Sequence, residues 1–237
     1  MAELENGHWW FLARRRILHE ILRRYARLPA QPRVLEAGCG TGGNLAMLGR
    51  FGQVSAFEPD EEARRHASAK GAFEIREGRL PGEIPFDTDC FDLVCAFDVL
   101  EHVDDDLGSL RALKECLRPG GWMLLTVPAF PFLWSRHDET HHHKRRYMKA
   151  QLLARAREAG IVPVRLTYYN SLLFPLIAGV RLLKNLFGIE GGDDEAMPPP
   201  LLNRLLGTVF AWERHLVGRL PLPAGVSLLM LARRPEA

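Results

Sequence analysis

Val34-Leu35-Glu36-Ala37-Gly38-Cys39-Gly40-Thr41-Gly42-Gly43-Asn44 is the stretch on which the fold is read. An aliphatic run ends in an acid, turns on alternating glycines and enters a helix-forming segment, Leu45 to Arg50. The spacing is G-x-G-x-G, not the G-x-G-x-x-G of dinucleotide sites. Glycine lets the backbone turn sharply and lets a ligand approach where a Cβ would stand. The helix that follows offers unpaired amides at its start. Glu36, at the strand's end, lies on the ligand-binding edge expected of a parallel sheet and can face a cation such as an amine. A tight βα turn with no ligand would read the same way on this stretch alone.

The neighbouring stretches extend the pattern. Gln53 to Phe57 reads as a second strand ending in Glu58-Pro59-Asp60. An acid there can accept hydrogen bonds from two ribose hydroxyls. Phe91 to Phe97 reads as a buried strand followed by Asp98-Val99-Leu100-Glu101-His102-Val103. Leu117-Arg118-Pro119-Gly120-Gly121 reads as a helix stop and turn before a strand from Trp122 to Pro128. In this order and near this spacing, VLEAGCGTGG, FEPD, FDLVCAFDVLEHV and LRPGGWMLLTVP resemble the class I S-adenosylmethionine-dependent methyltransferases, over roughly residues 33 to 165.

That resemblance implies an α/β, Rossmann-like fold. Its sheet would be seven-stranded and mostly parallel, with an antiparallel last strand and helices on both faces. It implies S-adenosylmethionine as cofactor, held by Glu36, Gly38, Cys39, Gly40, Thr41, Gly42, Asn44, Glu58, Pro59 and Phe97. Arg79 and Leu80 would border its adenine.

Bulk properties bound the rest. The 237 residues suit one domain with embellishments, and 47% hydrophobic with 25% charged residues is ordinary for a globular core. The net charge of +2 makes no nucleic-acid footprint. The cysteines at 39, 90, 95 and 116 form no C-x-x-C pair, so free thiols in a reducing cytoplasm are expected. No signal peptide and no uncharged run of about 18 apolar residues is read.

Residues 1–30 are expected to form an N-terminal helix. Ile17, Leu18, Ile21, Leu22 and Tyr25 recur on one face and arginines lie mostly opposite. It is either a packed helix with a solvated basic side or a lid whose Trp9, Trp10 and Phe11 wall an acceptor pocket. Residues 31–170 are expected to be the cofactor-binding core and 225–237 the last strand. The roughly 55 residues between the last two strands exceed an ordinary connection. Residues 171–224 are therefore expected to be a helical insertion. One apolar face there carries Leu176, Val180, Leu183 and Phe187, and a second carries Leu201, Leu202, Leu205, Val209, Phe210 and Trp212. Gly191 to Pro200 reads as a flexible link between them. Such faces suit a packed cap, a homodimer interface or a peripheral membrane contact.

Methyl transfer needs an acceptor held in line, and a hydroxyl acceptor needs a base near neutral pKa. Histidines stand in two places beyond strand ends: at His102, and from His137 to His143, where six of seven residues are His, Asp or Glu. His137, His143 and His102 are the candidate bases, and Arg145 and Arg146 could grip an anionic acceptor.

D-x-x-E-H with a later histidine is also similar to the E-x-x-E-H pattern of small-RNA 2′-O-methyltransferases. Ubiquinone-biosynthesis O-methyltransferases likewise carry E-H here, with a later His before basic and aromatic residues. Carried over, Asp98, Glu101, His102 and His143 would hold a divalent ion, with His137 as a substitute for the last. The expected function is O-methylation of a small or lipid-like acceptor. A cofactor-binding interaction module without transfer activity, or a metal-assisted RNA methyltransferase, are the alternatives. The expected location is cytoplasmic, with or without membrane association.

Overall fold

The computed structural model of the chain describes residues 4–187 and 196–236. Seven strands form one sheet: β1 (Arg33–Ala37), β2 (Gln53–Phe57), β3 (Glu74–Arg76), β4 (Phe91–Phe97), β5 (Leu117–Pro128), β6 (Val162–Tyr169) and β7 (Ser227–Arg233). Their order is β3-β2-β1-β4-β5-β7-β6. β1 to β5 pair in parallel, and β7 runs antiparallel between β5 and β6. Strand order reverses between β1 and β4, and ligands of such sheets bind at that reversal, beyond the carboxyl ends.

Alternation along the central strands builds two cores. Val34, Leu93 and Cys95 face a layer made by α2 (Trp9–Tyr25), α3 (Leu45–Leu48) and α9 (Pro200–Trp212). Leu35, Val94 and Ala96 face α5 (Asp106–Cys116) and α7 (Lys149–Glu158). A strand buried on both sides has no polar face to show, which is why FDLVCAF reads as a nearly continuous apolar run. Asp60 caps α4 (Glu61–Ser68) by accepting from Ala63 N at 2.8 Å, and Asp105 caps α5 by accepting from Gly108 N at 2.7 Å. The three aspartates 104–106 thus start a helix, as their position suggests.

Three readings change. β5 begins at Leu117, not after a turn at Gly121. Phe91 pairs with Leu117, the register then slips, and Gly120 (φ +77°) takes up the irregularity. Next, of the alternatives left for the insertion's apolar faces, a fully packed cap does not hold: only part of each face is covered. On α8 (Phe174–Phe187), Leu176, Val180, Leu183 and Phe187 are exposed, and on α9 so are Leu201, Leu202 and Leu205. Tertiary contact goes through Phe210, a member of the second face, through Ala178 and Ala211, which are also buried, and through Gly207, which sits on Trp9. Finally, of the expected link, residues 191–195 lie outside the described residues, and Pro200 opens α9.

The N-terminus and the insertion are joined. Asn203 Oδ1 accepts from Trp9 N at 2.8 Å, and its amide donates to Gly7 O at 2.9 Å. The Phe210 ring stacks on Tyr169 and meets Trp9 edge-on, with centroids 6.1 and 5.8 Å away. Phe210 is fully buried, so Phe210→Ala should destabilise the fold by about 3–5 kcal/mol in urea unfolding. A loss below about 1 kcal/mol would show that α9 packs independently of the core.

Candidate active site

A cavity of about 1050 Å³ opens at the carboxyl ends of β1, β2, β4 and β5. This exceeds what one drug-sized ligand needs and leaves room for two. Gly38, Cys39, Gly40, Asn44, Glu58, Pro59, Arg79, Leu80 and Phe97 all line it. Glu36, Thr41 and Gly42 do not. Glu36 stands one layer back, fully buried, with Asn44 Nδ2 donating to it at 2.8 Å. Thr41 Oγ1 donates to Glu5 at 2.7 Å. Gly42 has φ +84°, and a Cβ there would come within 3.0 Å of Ala67, so it serves the packing of α4.

The glycine turn differs from expectation in one respect that matters chemically. Its amides are spent inside the protein. Gly38 N and Cys39 N both donate to Phe57 O, at 2.9 and 3.2 Å, and Gly40 N donates to Glu58 at 2.9 Å. α3 is a single turn. The turn therefore offers a ligand no nest of donors of the kind a pyrophosphate needs. What it offers is acceptors and space. A Cβ on Gly40 (φ +54°) would meet nothing within 4 Å. Glu58 and Asn44 supply oxygens at the wall with Glu36 behind Asn44, and Glu36 Oε2 and Asn44 Oδ1 are buried without a hydrogen-bond partner. Burial pushes the Glu36 carboxyl up to about 8, against the Asn44 hydrogen bond and the charge of Arg14. The arrangement suits a ligand that brings hydroxyls and a positive charge.

The N-terminal segment, described from residue 4, reaches this site more deeply than a packed helix would. α1 (Leu4–Gly7) lays Glu5 over the glycine turn, where it accepts from Thr41 and from Lys70 Nζ at 3.0 Å. Arg14 is buried, lies 4.4 Å from the Trp10 ring centroid and pairs with Asp98. Trp9, Trp10 and Phe11 line the cavity.

The other half of the site is a histidine cluster. Glu101, His102 and His143 bring one ligand-capable atom each within 4.8 Å of one another. The His102 and His143 rings meet edge-on, 4.7 Å apart. Asp98, expected among the ligands, is not in this group. Its carboxylate is committed to Arg14 and to Thr126 Oγ1, which donates at 3.0 Å. His137 is also outside the group, its ring 6.0 Å from that of His143 and 4.4 Å from that of His141. His143 is thus the member of the later histidine run that meets Glu101 and His102.

Asp138 explains why. It is fully buried in α6 (Arg136–Thr140), and its Oδ1 lies 2.8 Å from His143 Nδ1 and accepts from Arg146 Nε at 2.8 Å. Burial works against its charge, but the His143 and Arg146 hydrogen bonds hold its carboxyl well below the usual range. Glu101 has the opposite environment: fully buried, with neither carboxylate oxygen partnered. Burial, then the nearby Asp98, push its carboxyl well up. Burial and the neighbouring His143 lower the His102 imidazole to about 4, so it is neutral near pH 7.

Sequence reading missed Glu5, Arg14, His141 and Asn170, all of which line the cavity. Asn170, just past β6, is buried with φ +55° and has both side-chain polar atoms unpartnered. Nothing in its sequence neighbourhood signals that.

Asp138→Asn removes the charge that orders His143 and Arg146. It should cost about 3–5 kcal/mol in denaturant unfolding at neutral pH, because Arg146 is left buried without its counter-charge. Since the Asp138 carboxyl is depressed on folding, its stabilisation is present above the unfolded value and fades as pH falls below about 4. A variant as stable as the parent at pH 7 would refute this.

Comparison with known proteins bears on the chemistry. A family model described as a methyltransferase domain matches residues 9–166. The ubiquinone biosynthesis O-methyltransferase of Methylocella silvestris is 34% identical over 158 residues, covering 58% of this chain and 60% of that protein. The chain thus spans less than two thirds of that relative's length. The protein of the same name from Thiobacillus denitrificans is 32% identical over 206 residues, covering 72% of this chain and 85% of the relative. Among solved structures, geranyl diphosphate C-methyltransferase from Streptomyces coelicolor superposes with a TM-score of 0.62 at 14% identity, over 92% of this chain and 79% of that one. It was crystallised with Mg²⁺, geranyl diphosphate and S-adenosyl-L-homocysteine. The [4+2]-cyclase SpnF matches comparably, with a TM-score of 0.61 at 17% identity, over 94% of this chain and 82% of that one. Fold likeness alone therefore does not fix the reaction. The matched domain covers more than half of the chain and contains both halves of the cavity floor: the chain belongs to the class I S-adenosylmethionine-dependent methyltransferase family.

Proposed function

We propose that the chain transfers a methyl group from S-adenosylmethionine to a hydroxyl oxygen of a small, lipid-like acceptor. The observation that carries this reading is the shared cavity. One wall is the acid-rich glycine turn, and the other is a histidine whose second nitrogen is held by a buried carboxylate. The residues fit the cofactor by their acceptors: Glu58 for a ribose diol, and the Asn44 amide oxygen with the Glu36 carboxyl behind it for an ammonium. Arg14 is the cation placed to meet its carboxylate. When bound, S-adenosylmethionine supplies a methyl already activated on a sulfonium.

The protein's own work is then to orient the acceptor and take its proton. Asp138 fixes His143 through Nδ1, which leaves Nε2 as the nitrogen that can receive a proton from a hydroxyl. His102, neutral at physiological pH, stands against it. Trp9, Trp10 and Phe11 from one side and Leu176, Ile177 and Val180 from the other give the cavity apolar walls. These favour an acceptor with an apolar body over a free sugar or nucleotide. The relatives named for O-methylation support oxygen as the accepting atom.

A second reading of the same cluster has its own support. Glu101 is a buried acid without a partner, beside two imidazoles, one of them already held by a carboxylate. A carboxylate behind a ligating histidine is the usual outer support of a metal site. Glu101, His102 and His143 would hold the ion, and one carboxylate with two imidazoles suits Mn²⁺, Fe²⁺ or Zn²⁺ better than Mg²⁺. A divalent ion there would polarise the acceptor hydroxyl.

Calorimetry with S-adenosylhomocysteine tests the cofactor half. Binding should release protons near pH 7, because the Glu36 carboxyl titrates at about 8 in the empty protein and a bound ammonium ionises it. The measured heat should then depend on the buffer's ionisation enthalpy, affinity should rise with pH up to about 8 and level off, and Glu36→Gln should abolish the release while weakening binding about tenfold. No heat from a folded sample at high micromolar ligand would end the reading.

His143→Ala tests the other half. It should lower methyl transfer to hydroxylated aromatic acceptors by about 10²–10⁴-fold and leave cofactor affinity unchanged. Unaltered turnover would remove His143 from the chemistry. Titration with Zn²⁺ or Mn²⁺ decides between base and metal: the second reading requires binding that Glu101→Gln abolishes.

A further inference from the structure

α8 and α9 leave an unusual amount of apolar surface uncovered. Leu186 is 77% exposed, Phe187 69% and Leu201 82%, and Leu183, Leu202 and Leu205 are also exposed. Outside residues 172–220, the exposed large apolar side chains among the described residues are Met148 and Val162, scattered singly as on any surface, and Phe132, on the turn Pro131–Leu133 that packs against α8. The concentration falls on two helices that both line the cavity, through Ile177 and Leu206, and exposed apolar surface gathered in this way marks a binding partner.

Its position says what kind. Leu176 (60% exposed) and Val180 (44% exposed) belong to α8 and also line the active-site cavity, so they form its rim. The exposed leucines continue outward from that rim. Neither helix contains an acid, while Arg181, Lys184 and Arg204 lie on them. Glu213, just after α9, is fully buried and faces the backbone at Leu172. Glu190, Asp193, Asp194 and Glu195 lie between the helices in sequence, outside the described residues. The apolar faces, and not net charge alone, must therefore carry the attraction. No helix of the described residues is long and apolar enough to cross a membrane. A second copy of the chain seated on this face would cover the rim through which an acceptor must pass.

We propose that α8 and α9 form a membrane-docking surface, laid on an anionic bilayer with the cavity's rim toward the lipid. An acceptor dissolved in the bilayer then enters without crossing water. The docking rests on the exposed faces alone; the consequence for the acceptor rests on the methyltransferase reading.

The test is co-sedimentation of the full-length protein with vesicles of phosphatidylethanolamine and phosphatidylglycerol, against vesicles of phosphatidylcholine alone. The wild-type protein should pellet with the anionic vesicles. Leu186→Glu combined with Leu201→Glu should weaken that partitioning about tenfold or more, and Val162→Glu, a control at the exposed first residue of β6, should not. Leu205→Glu alone gives a second, milder variant should the pair fold poorly, which thermal unfolding will show. Wild-type protein left in the supernatant with every vesicle overturns the proposal. So does equal pelleting of wild type and patch variants. A wild-type dimer that the patch variants convert to monomer, with no vesicle binding, assigns the face to a second copy and also overturns it. Binding of S-adenosylhomocysteine is measured on the same samples. Its failure would count against the methyltransferase reading, whereas loss of vesicle binding with cofactor affinity intact would count against docking alone.

Discussion

The histidine half of the candidate site depends on one buried carboxylate. Asp138 gathers His143, Arg146 and the Ser135 amide around two oxygens. Arg146 in turn donates to Ala129 O at 3.1 Å, and Lys144 N donates to Glu101 O at 2.7 Å. The loop after β5 is thereby tied to its own strand and to the turn after β4, the two elements that flank the cavity. A loop carrying so many charged groups would otherwise be expected to lie solvated. A buried ion pair of this kind is a doubtful source of net stability, but it is very sensitive to loss of either partner. What it secures is geometry: one nitrogen of His143 is occupied, so the other has a fixed direction.

Much of the cofactor half was legible in the sequence, and there are physical reasons for that. A turn that must place glycines at φ +63°, +54° and +84° constrains residue type position by position, and strands buried on both faces constrain it again. The acids at 36 and 58 end their strands at a place fixed by topology. The acceptor half was less legible because its parts come from distant segments. Arg14, Asp98, His143 and Asn170 converge only through tertiary contacts. His141, His142 and His143 look alike in sequence, and only the Asp138 contact distinguishes His143. Asp98 read as a ligand because its spacing to Glu101 was right. Spacing could not show that an arginine on the first long helix would claim it.

The insertion shows the limit of periodicity in a different way. Leu176, Val180, Leu183 and Phe187 do mark one face of a helix, but periodicity measures amphipathicity and says nothing about which side the core takes. In α8 and α9 the buried residues are small or aromatic, Ala178, Ala211 and Phe210, with Ile177, Leu206 and Val209 packed beside them, while most of the leucines remain outside. A helix with one face in protein and a second apolar face exposed is half-finished as a soluble element. That is why the surface, and not the fold, asks for a partner here.

Charge within the cavity links these parts. Glu36 and Glu101 are buried acids whose carboxyls burial has raised, while Asp98 and Asp138 each have an arginine beside them. Burial thus favours the protonated form of both raised acids, and a nearby cation favours the charged one. For Glu36 the consequence for stability has a definite sign. Its ionisation is harder in the folded chain than in the unfolded one, so between about pH 4.5 and about 8 the empty fold loses stability as pH rises. A ligand bearing an ammonium and a sulfonium reverses that penalty, because it supplies the positive charge that burial withholds. Cofactor binding and the protonation of the glycine turn's acid are then one equilibrium. Arg14, the cation already present, occupies Asp98 beside that same turn. Its charge also eases the ionisation of Glu36, so the first long helix, which carries Arg14, acts on both acids.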